Sequence, residues 1–342
     1  MTIYQVFCTV DEVLREADSR GVYSEKTVFD KVLAASRLLA MKTGRFLPVT
    51  ETRTFGADRA SSIRLFLRFP LISISSIVND GVTLGSDDYV LQPNGRHWDN
   101  GPYSMLEVAA NADNLSAWDD DNDGIVIVGD VGLYDATELL SATLGADLTD
   151  SGKTMRVSNG ALVSPGMMVK VESERIFVKA SSTPVAAVTT ISAALDANAE
   201  TCTFADGSLL NVGEVFRIGV EQIKVLDLNG NAGALQRGWN KTTKSAHTIN
   251  SNVDVYRNFS VERGANGSTA AAHANASAIT KYLLPEDVNG LCRKIAMRML
   301  KDASAGYAGR VGDETMGQAV YTYVLPYELD EIMNNYEIPF AG

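Results

Sequence analysis

Residues 143–180 can be written over residues 190–227 without a gap, at an offset of 47. Ten of these 38 positions are identical: Thr143/Thr190, Ala146/Ala193, Leu148/Leu195, Thr154/Thr201, Gly160/Gly207, Leu162/Leu209, Gly166/Gly213, Glu174/Glu221, Ile176/Ile223 and Val178/Val225. A second pair of segments matches at an offset of 26, where Arg237-Gly238-Trp239-Asn240 through His247 lies over Arg263-Gly264-Ala265-Asn266 through His273 with six of 11 identical. Val253/Ile279 and Tyr256/Tyr282 continue that match. Self-similarity of this kind marks a repeated supersecondary unit. The order along the chain is front, front, back, back. Nesting explains it economically. One β-module covers 141–189 and resumes at 258–280, and a second copy, 190–257, sits inside it. The alternative is two fronts followed by a duplicated back hairpin. Ser181-Ser182-Thr183-Pro184, at the interrupting edge, has linker composition.

The flanks speak a different language. Val10, Val13, Leu14 and Ala17 are spaced i, i+3, i+4, i+7 and predict one face of a short helix stopped by Gly21. Ser24 is the expected N-cap of a longer helix ending before Gly44, with Val28, Val32, Ala35, Leu39 and Met41 as its apolar face. Thr50, Thr52 and Thr54 alternate, as do Ile63, Leu65, Leu67 and Phe69, which is strand spacing. Residues 69–91 read as a meander: a strand through Ile72, Ile74 and Val78, a tight turn at Asn79-Asp80-Gly81, and Tyr89-Val90-Leu91 as a third strand. Beyond 280 the helical pattern returns. Pro285 suits the first turn, and Val288, Leu291, Cys292, Ile295, Ala296, Met299 and Leu300 keep a 3.6-residue period. A last short helix is expected over 327–336.

Charge and chemistry narrow the function. The formal net charge is −12, which argues against a protein that neutralises phosphates. Cys8, Cys202 and Cys292 are widely spaced with no metal-site pattern, consistent with synthesis in a reducing cytoplasm. The first residues carry no secretory pattern, and no apolar run approaches a membrane span. No Ser/His/Asp order, Gly-x-Ser-x-Gly elbow or phosphate loop appears, so neither an enzyme nor a cofactor is expected. His247 and His273 occupy equivalent places in the repeats. Arg237, Asn240 and His247, with Arg263, Asn266 and His273, are therefore read as turn-building residues. Asp119, Asp121, Asp123 and Asp130 have the spacing of a calcium loop with Gly124 inside it. The twelfth position is Asp rather than Glu, and a strand follows where a helix belongs. A solvated hairpin loop is the expected outcome, with no metal.

The order of the flanking pieces resembles the head–tail connector, or adaptor, proteins of tailed bacteriophages. The residues that carry the resemblance are Thr43-Gly44-Arg45, Phe69-Pro70-Leu71-Ile72, Asp80-Gly81, Asp88-Tyr89-x-Leu91, Gly129-x-x-Gly132-x-Tyr134 and Pro285-Glu286-Asp287-Val288. The inserted repeats resemble small β-modules of phage structural proteins. The expected fold is α+β: a helical hairpin plus a C-terminal helix around a small antiparallel β-region, interrupted by a nested all-β insertion of two repeated modules. The adaptor-like parts would be 1–140 and 281–342. The resemblance implies a structural virion protein at the neck, made in the host cytoplasm. It implies a ring of twelve copies beneath the portal, joined to a stopper or tail-terminator protein, with genome DNA passing through the lumen unbound and no membrane contact. The runner-up is a neck, collar or tail decoration protein whose β-modules bind a receptor or glycan. Residues 311–342 carry six carboxylates and no Lys or Arg, and the segment of about 307–342, with Tyr321, Tyr323, Tyr327, Tyr336 and Phe340, is expected to dock on the portal.

Overall fold

The computed structural model describes residues 3–16, 23–55, 63–93, 101–119 and 123–304, together with 310–311 and 320–321. Its first sheet is built from β1 (Val49–Phe55), β2 (Arg64–Asn79), β3 (Val82–Thr83), β4 (Tyr89–Pro93), β5 (Tyr103–Val108) and β6 (Ile125–Val131). The order is β1-β6-β2-β5-β4, with β3 paired to β2. Strict alternation along β6 turns Ile125, Ile127 and Val131 into one face, where they meet Leu65, Leu71, Leu106 and Trp118. Asp80 and Gly81 both take positive φ and close the β2–β3 turn, as the Asp-Gly pair predicts.

The second sheet draws its strands from both sides of the third. It contains β7 (Thr137–Thr143), β8 (Thr154–Arg156), β9 (Met168–Val171) and β10 (Glu174–Ser181). The third follows in one run: β11 (Val185–Thr190), β12 (Thr201–Thr203), β13 (Val215–Ile218), β14 (Glu221–Asn229), β15 (Ala232–Trp239) and β16 (Asn252–Val255). The chain then returns to the second sheet with β17 (Asn258–Glu262) and β18 (Ala278–Tyr282). The orders are β7-β18-β9-β10-β17-β8 and β11-β16-β13-β14-β15-β12. Under the two sequence offsets these are the same order, strand for strand. We call the two sheets with their loops the outer and inner modules. Gly160 and Gly207 show how closely the repeat is kept. A Cβ at either would sit 2.1 or 2.2 Å from a carbonyl oxygen, that of Tyr256 or of Gly230.

Helices α1 (Val10–Glu16), α2 (Glu25–Thr43) and α3 (Glu286–Ser304) form the remaining layer. Ser24 caps α2 by accepting the Thr27 N–H, and Gly44 ends it at φ 70°. Val28, Val32, Ala35 and Leu39 of α2 pack against Val288, Leu291, Ile295 and Ala296 of α3 in one core. Met41 was expected on that face but is 77% exposed. Two residues beyond Leu39 is about 200° around a helix, so Met41 points away. The outer module contributes Met168, Phe177 and Ala265 to the helical core, where Tyr4 stacks on Phe177 at 4.2 Å.

The expected α+β class is overturned. The chain is 42% strand and 19% helix, with three six-stranded antiparallel sheets and three helices among the described residues. The β-region between the helices is a full sheet rather than a small meander, because β2 runs for 16 residues. Register shifts between Phe66 and Leu71 and between Leu71 and Ser73 carry it past Pro70, which sequence rules treat as a break. The helix expected at 327–336 lies outside the described residues.

Candidate functional site

Each module is closed by a buried carboxylate that gathers the two ends of its repeat motif. In the inner module Glu221 opens β14. Its oxygens accept from Arg237 Nε and Nη2, both at 2.7 Å, and from His247 Nε2 at 2.8 Å. The backbone N–H groups of Gly238 and Ser245 add bonds of 3.2 and 3.1 Å. Arg237 Nη1 also donates to the carbonyls of Asp196 and Ala199. In the outer module Glu174 opens β10 and repeats the pattern with Arg263, His273, Gly264 and Ala271. Arg263 Nη1 donates to the carbonyls of Thr149 and Gly152, each 47 positions before its inner counterpart. The histidine backbones complete the closure by pairing with Leu195 and Leu148.

Burial opposes ionisation of both glutamates. The guanidinium and the further donors more than offset it and hold both carboxyls below the ordinary range. A Glu–His–Arg set also occurs in catalytic sites, but here both carboxylates are fully buried and saturated with donors. Their geometry suits a brace. Sequence reasoning found the arginines and histidines and missed the glutamates they serve. The available signal was Glu174/Glu221, identical in the two copies with different residues on either side.

The asparagines of the same motif face outward. Asn266, with φ 51° and no exposed surface, accepts the Tyr4 N–H at 2.7 Å and donates to the carbonyls of Tyr4 and Pro48, each at 3.1 Å. Asn240, with φ 54°, accepts the N–H of Glu25 at 2.6 Å. Arg-Gly-x-Asn is thus a two-sided element. Its arginine braces the module, and its asparagine ties that module to the helical layer. The third position adapts to what it meets. Ala265 is buried in the helical core, whereas Trp239 lies under Lys224 Nζ at 4.5 Å and lines a groove of about 460 Å³ with Leu14, Val212 and Leu226.

Asp130 stands apart from the other acidic residues of the calcium-like spacing. Asp130 is on β6, where it accepts from Thr50 Oγ1 and from Arg175 Nη2 of the outer module, both at 2.5 Å. Asp123 precedes Asp130 by seven positions, roughly 20 Å of extended chain, so Asp123 and Asp130 cannot ligate one ion. The Asp119 carboxylate folds over Gly124. Asp121 lies outside the described residues. Among the described residues no three His, Cys, Asp or Glu side chains gather as a metal site. Arg175 is a further node that sequence reasoning missed: it also reaches Tyr282 Oη and the Asn266 carbonyl, joining the first and second sheets.

Of the residues expected to dock on a partner, Tyr321 falls on a two-residue strand (Val320–Tyr321) paired with Arg310–Val311. Tyr323, Tyr327, Tyr336 and Phe340 lie outside the described residues. Compared with family models, curated proteins and solved structures, the chain matches none.

Proposed function

We propose that the chain is a structural virion protein, a head–tail adaptor that forms a ring beneath the portal and links capsid to tail while the genome passes through. The observation that carries this reading is the use made of the repeat motif. In both modules its reactive-looking side chains are consumed in internal bracing, and its asparagine fastens the module to the helical layer. A bridging protein needs this rigidity, and it suits a part that bears load without doing chemistry. The acidic net charge supports a lumen along which DNA slides unbound. The order of motifs in the flanks supports the phage assignment. The test is to mix the purified protein with the portal of the same virus and image the product. Closed rings stacked coaxially on the portal are expected. Failure to associate under any salt condition, with no corresponding density in the virion neck, would overturn the proposal.

One observation favours a second reading. The inner module exposes Val212, Val220, Leu226 and Ile249, with Val220 82% exposed at the β13–β14 turn. Apolar side chains displayed in this way support a neck or collar protein whose inner module contacts a receptor. Binding of intact protein to host-cell envelopes, abolished by Val220→Asp, would favour it.

A further inference from the structure

Cys8 and Cys292 are 284 positions apart, yet their Sγ atoms lie 3.2 Å from one another. Both are free thiols, 2% and 0% exposed. Cys8 belongs to the segment that leads into α1, and Cys292 sits in the first half of α3. Ser36 of α2 organises the contact. Its Oγ lies 3.4 Å from Cys292 Sγ and accepts the Phe7 N–H at 3.1 Å, fixing the backbone just before Cys8. Three elements therefore hold the two sulfurs together with no covalent bond between them. A closing movement of roughly 1 Å would bring them to the ~2.0 Å of a disulfide.

Access is unequal. Cys8 lines a cavity of about 330 Å³ with Thr9, Glu12, Met168 and Asn289, and Cys292 does not. Arg15 and Glu286, whose side chains are 70% and 83% exposed, also line it and mark its mouth. We propose that Cys8 and Cys292 are a latent disulfide: hydrogen peroxide entering this cavity oxidises Cys8, and Cys292 resolves it.

The electrons balance in two steps. The Cys8 thiolate attacks one peroxide oxygen, and the O–O bond breaks. Cys8 becomes a sulfenic acid, and the departing hydroxide takes up the proton the thiol lost, giving water. The Cys292 sulfur then attacks the Cys8 sulfur. The S–O bond breaks, the S–S bond forms, and the hydroxyl leaves with the Cys292 proton as a second water. Two thiols lose two electrons and peroxide gains them. The hydrogen bond to Cys292, followed by burial, pushes the Cys8 thiol well above its ordinary range. The thiolate is scarce at neutral pH, so the pair survives in a reducing cytoplasm and reacts faster as pH rises. This chemistry does not depend on what the chain joins.

The test treats the folded, full-length protein with hydrogen peroxide at neutral and mildly alkaline pH. The protein is then denatured, its remaining thiols are alkylated, and it is digested without reductant. The expected product is one linked peptide pair containing Cys8 and Cys292, split by dithiothreitol and formed faster at the higher pH. The thermal midpoint should rise by several degrees on oxidation, because the link closes nearly the whole chain. In a Cys292→Ser variant, dimedone should trap Cys8 as sulfenic acid, whereas the unsubstituted protein should give no adduct. If both cysteines are still alkylated after treatment, or if Cys8 stops at an acid while Cys292 is present, the proposal is wrong. The unsubstituted protein decides this by itself, should the variant fold poorly.

Discussion

Glu221 and Glu174 each bury a charge, and what makes that tolerable is the number of donors aimed at it. Removing one partner exposes the cost. Arg237→Met leaves the Glu221 carboxylate in the core with only His247 and two backbone N–H groups, a loss of about 3–5 kcal/mol. Urea unfolding should show a lower midpoint for the transition that includes the inner module. Replacing both members, Glu221→Met with Arg237→Met, removes the uncompensated charge and should recover a large part of the loss. Acid provides a second check. Both carboxyls are held below the ordinary value, so the stability they contribute is present above about pH 4.3. It is lost as pH falls further, through the depressed folded values. The thermal midpoint of the natural protein should therefore drop on acidification below that point. In Arg237→Met the buried carboxyl prefers to be neutral, so acid helps it. The gap between the two proteins should narrow as pH falls, and a gap that stays constant would assign the loss to packing.

At the scale of elements, the docking asparagines are not equivalent. Asn266, itself fully buried, makes three hydrogen bonds to the N-terminal segment and Pro48, while Asn240 makes one to Glu25 at the start of α2. Asn266→Ala should cost roughly 2–4 kcal/mol and Asn240→Ala about 1 kcal/mol, because buried partners left unpaired cost more than exposed ones. Hydrogen exchange should localise the change to Tyr4 in the first variant and to the first turn of α2 in the second. The β2–β3 turn offers a purely backbone test. Gly81 has φ 75°, and a Cβ added there would meet nothing within 4 Å, so Gly81→Val costs only the strain of that conformation, about 1–2 kcal/mol. An unchanged melting temperature would contradict it. These elements also show what the sequence could carry. The two offsets align the modules strand for strand, because a duplicated unit keeps its turns and close approaches even where side chains drift. The first sheet was legible only in pieces, because serines and Pro70 interrupt the alternation along β2, and a bulged strand has no single period. Of the glutamate braces the only trace was the Glu174/Glu221 identity, and the Arg175–Asp130 pair and the Cys8–Cys292 contact left none. Each joins residues 16 to 284 positions apart, and local spacing holds no record of such distances.

For the whole molecule, the layers are tied together by polar contacts as well as by core. Lys224 of the inner module reaches Asp11 of α1, Arg175 crosses from the second sheet to Asp130 of the first, and Ser181 binds Glu25 of α2. Contacts of this kind tie the first sheet, both modules and the helical layer to one another. Of the segment proposed to dock on the portal, about 307–342, the part beyond the 310–311/320–321 strand pair is residues 322–342. It carries Glu328, Asp330, Glu331 and Glu337 without a single Lys or Arg, and Tyr323, Tyr327, Tyr336 and Phe340 among them. Acidic charge of one sign steers a segment toward a basic surface and makes the encounter depend on salt. Large aromatic side chains then supply anchors that survive once the charges are screened. The two contributions can be separated. Reversing Glu328, Asp330 and Glu331 to lysine should slow association with the portal and flatten its dependence on salt, while leaving the melting temperature of the protein unchanged. Truncation after Tyr321 should abolish association at every salt concentration, since it removes the anchors as well. Surface-plasmon measurements on immobilised portal rings, run across an ionic-strength series, distinguish the cases. If the truncated protein remains folded and binds with unchanged affinity and salt slope, the portal is held by some other face of the molecule.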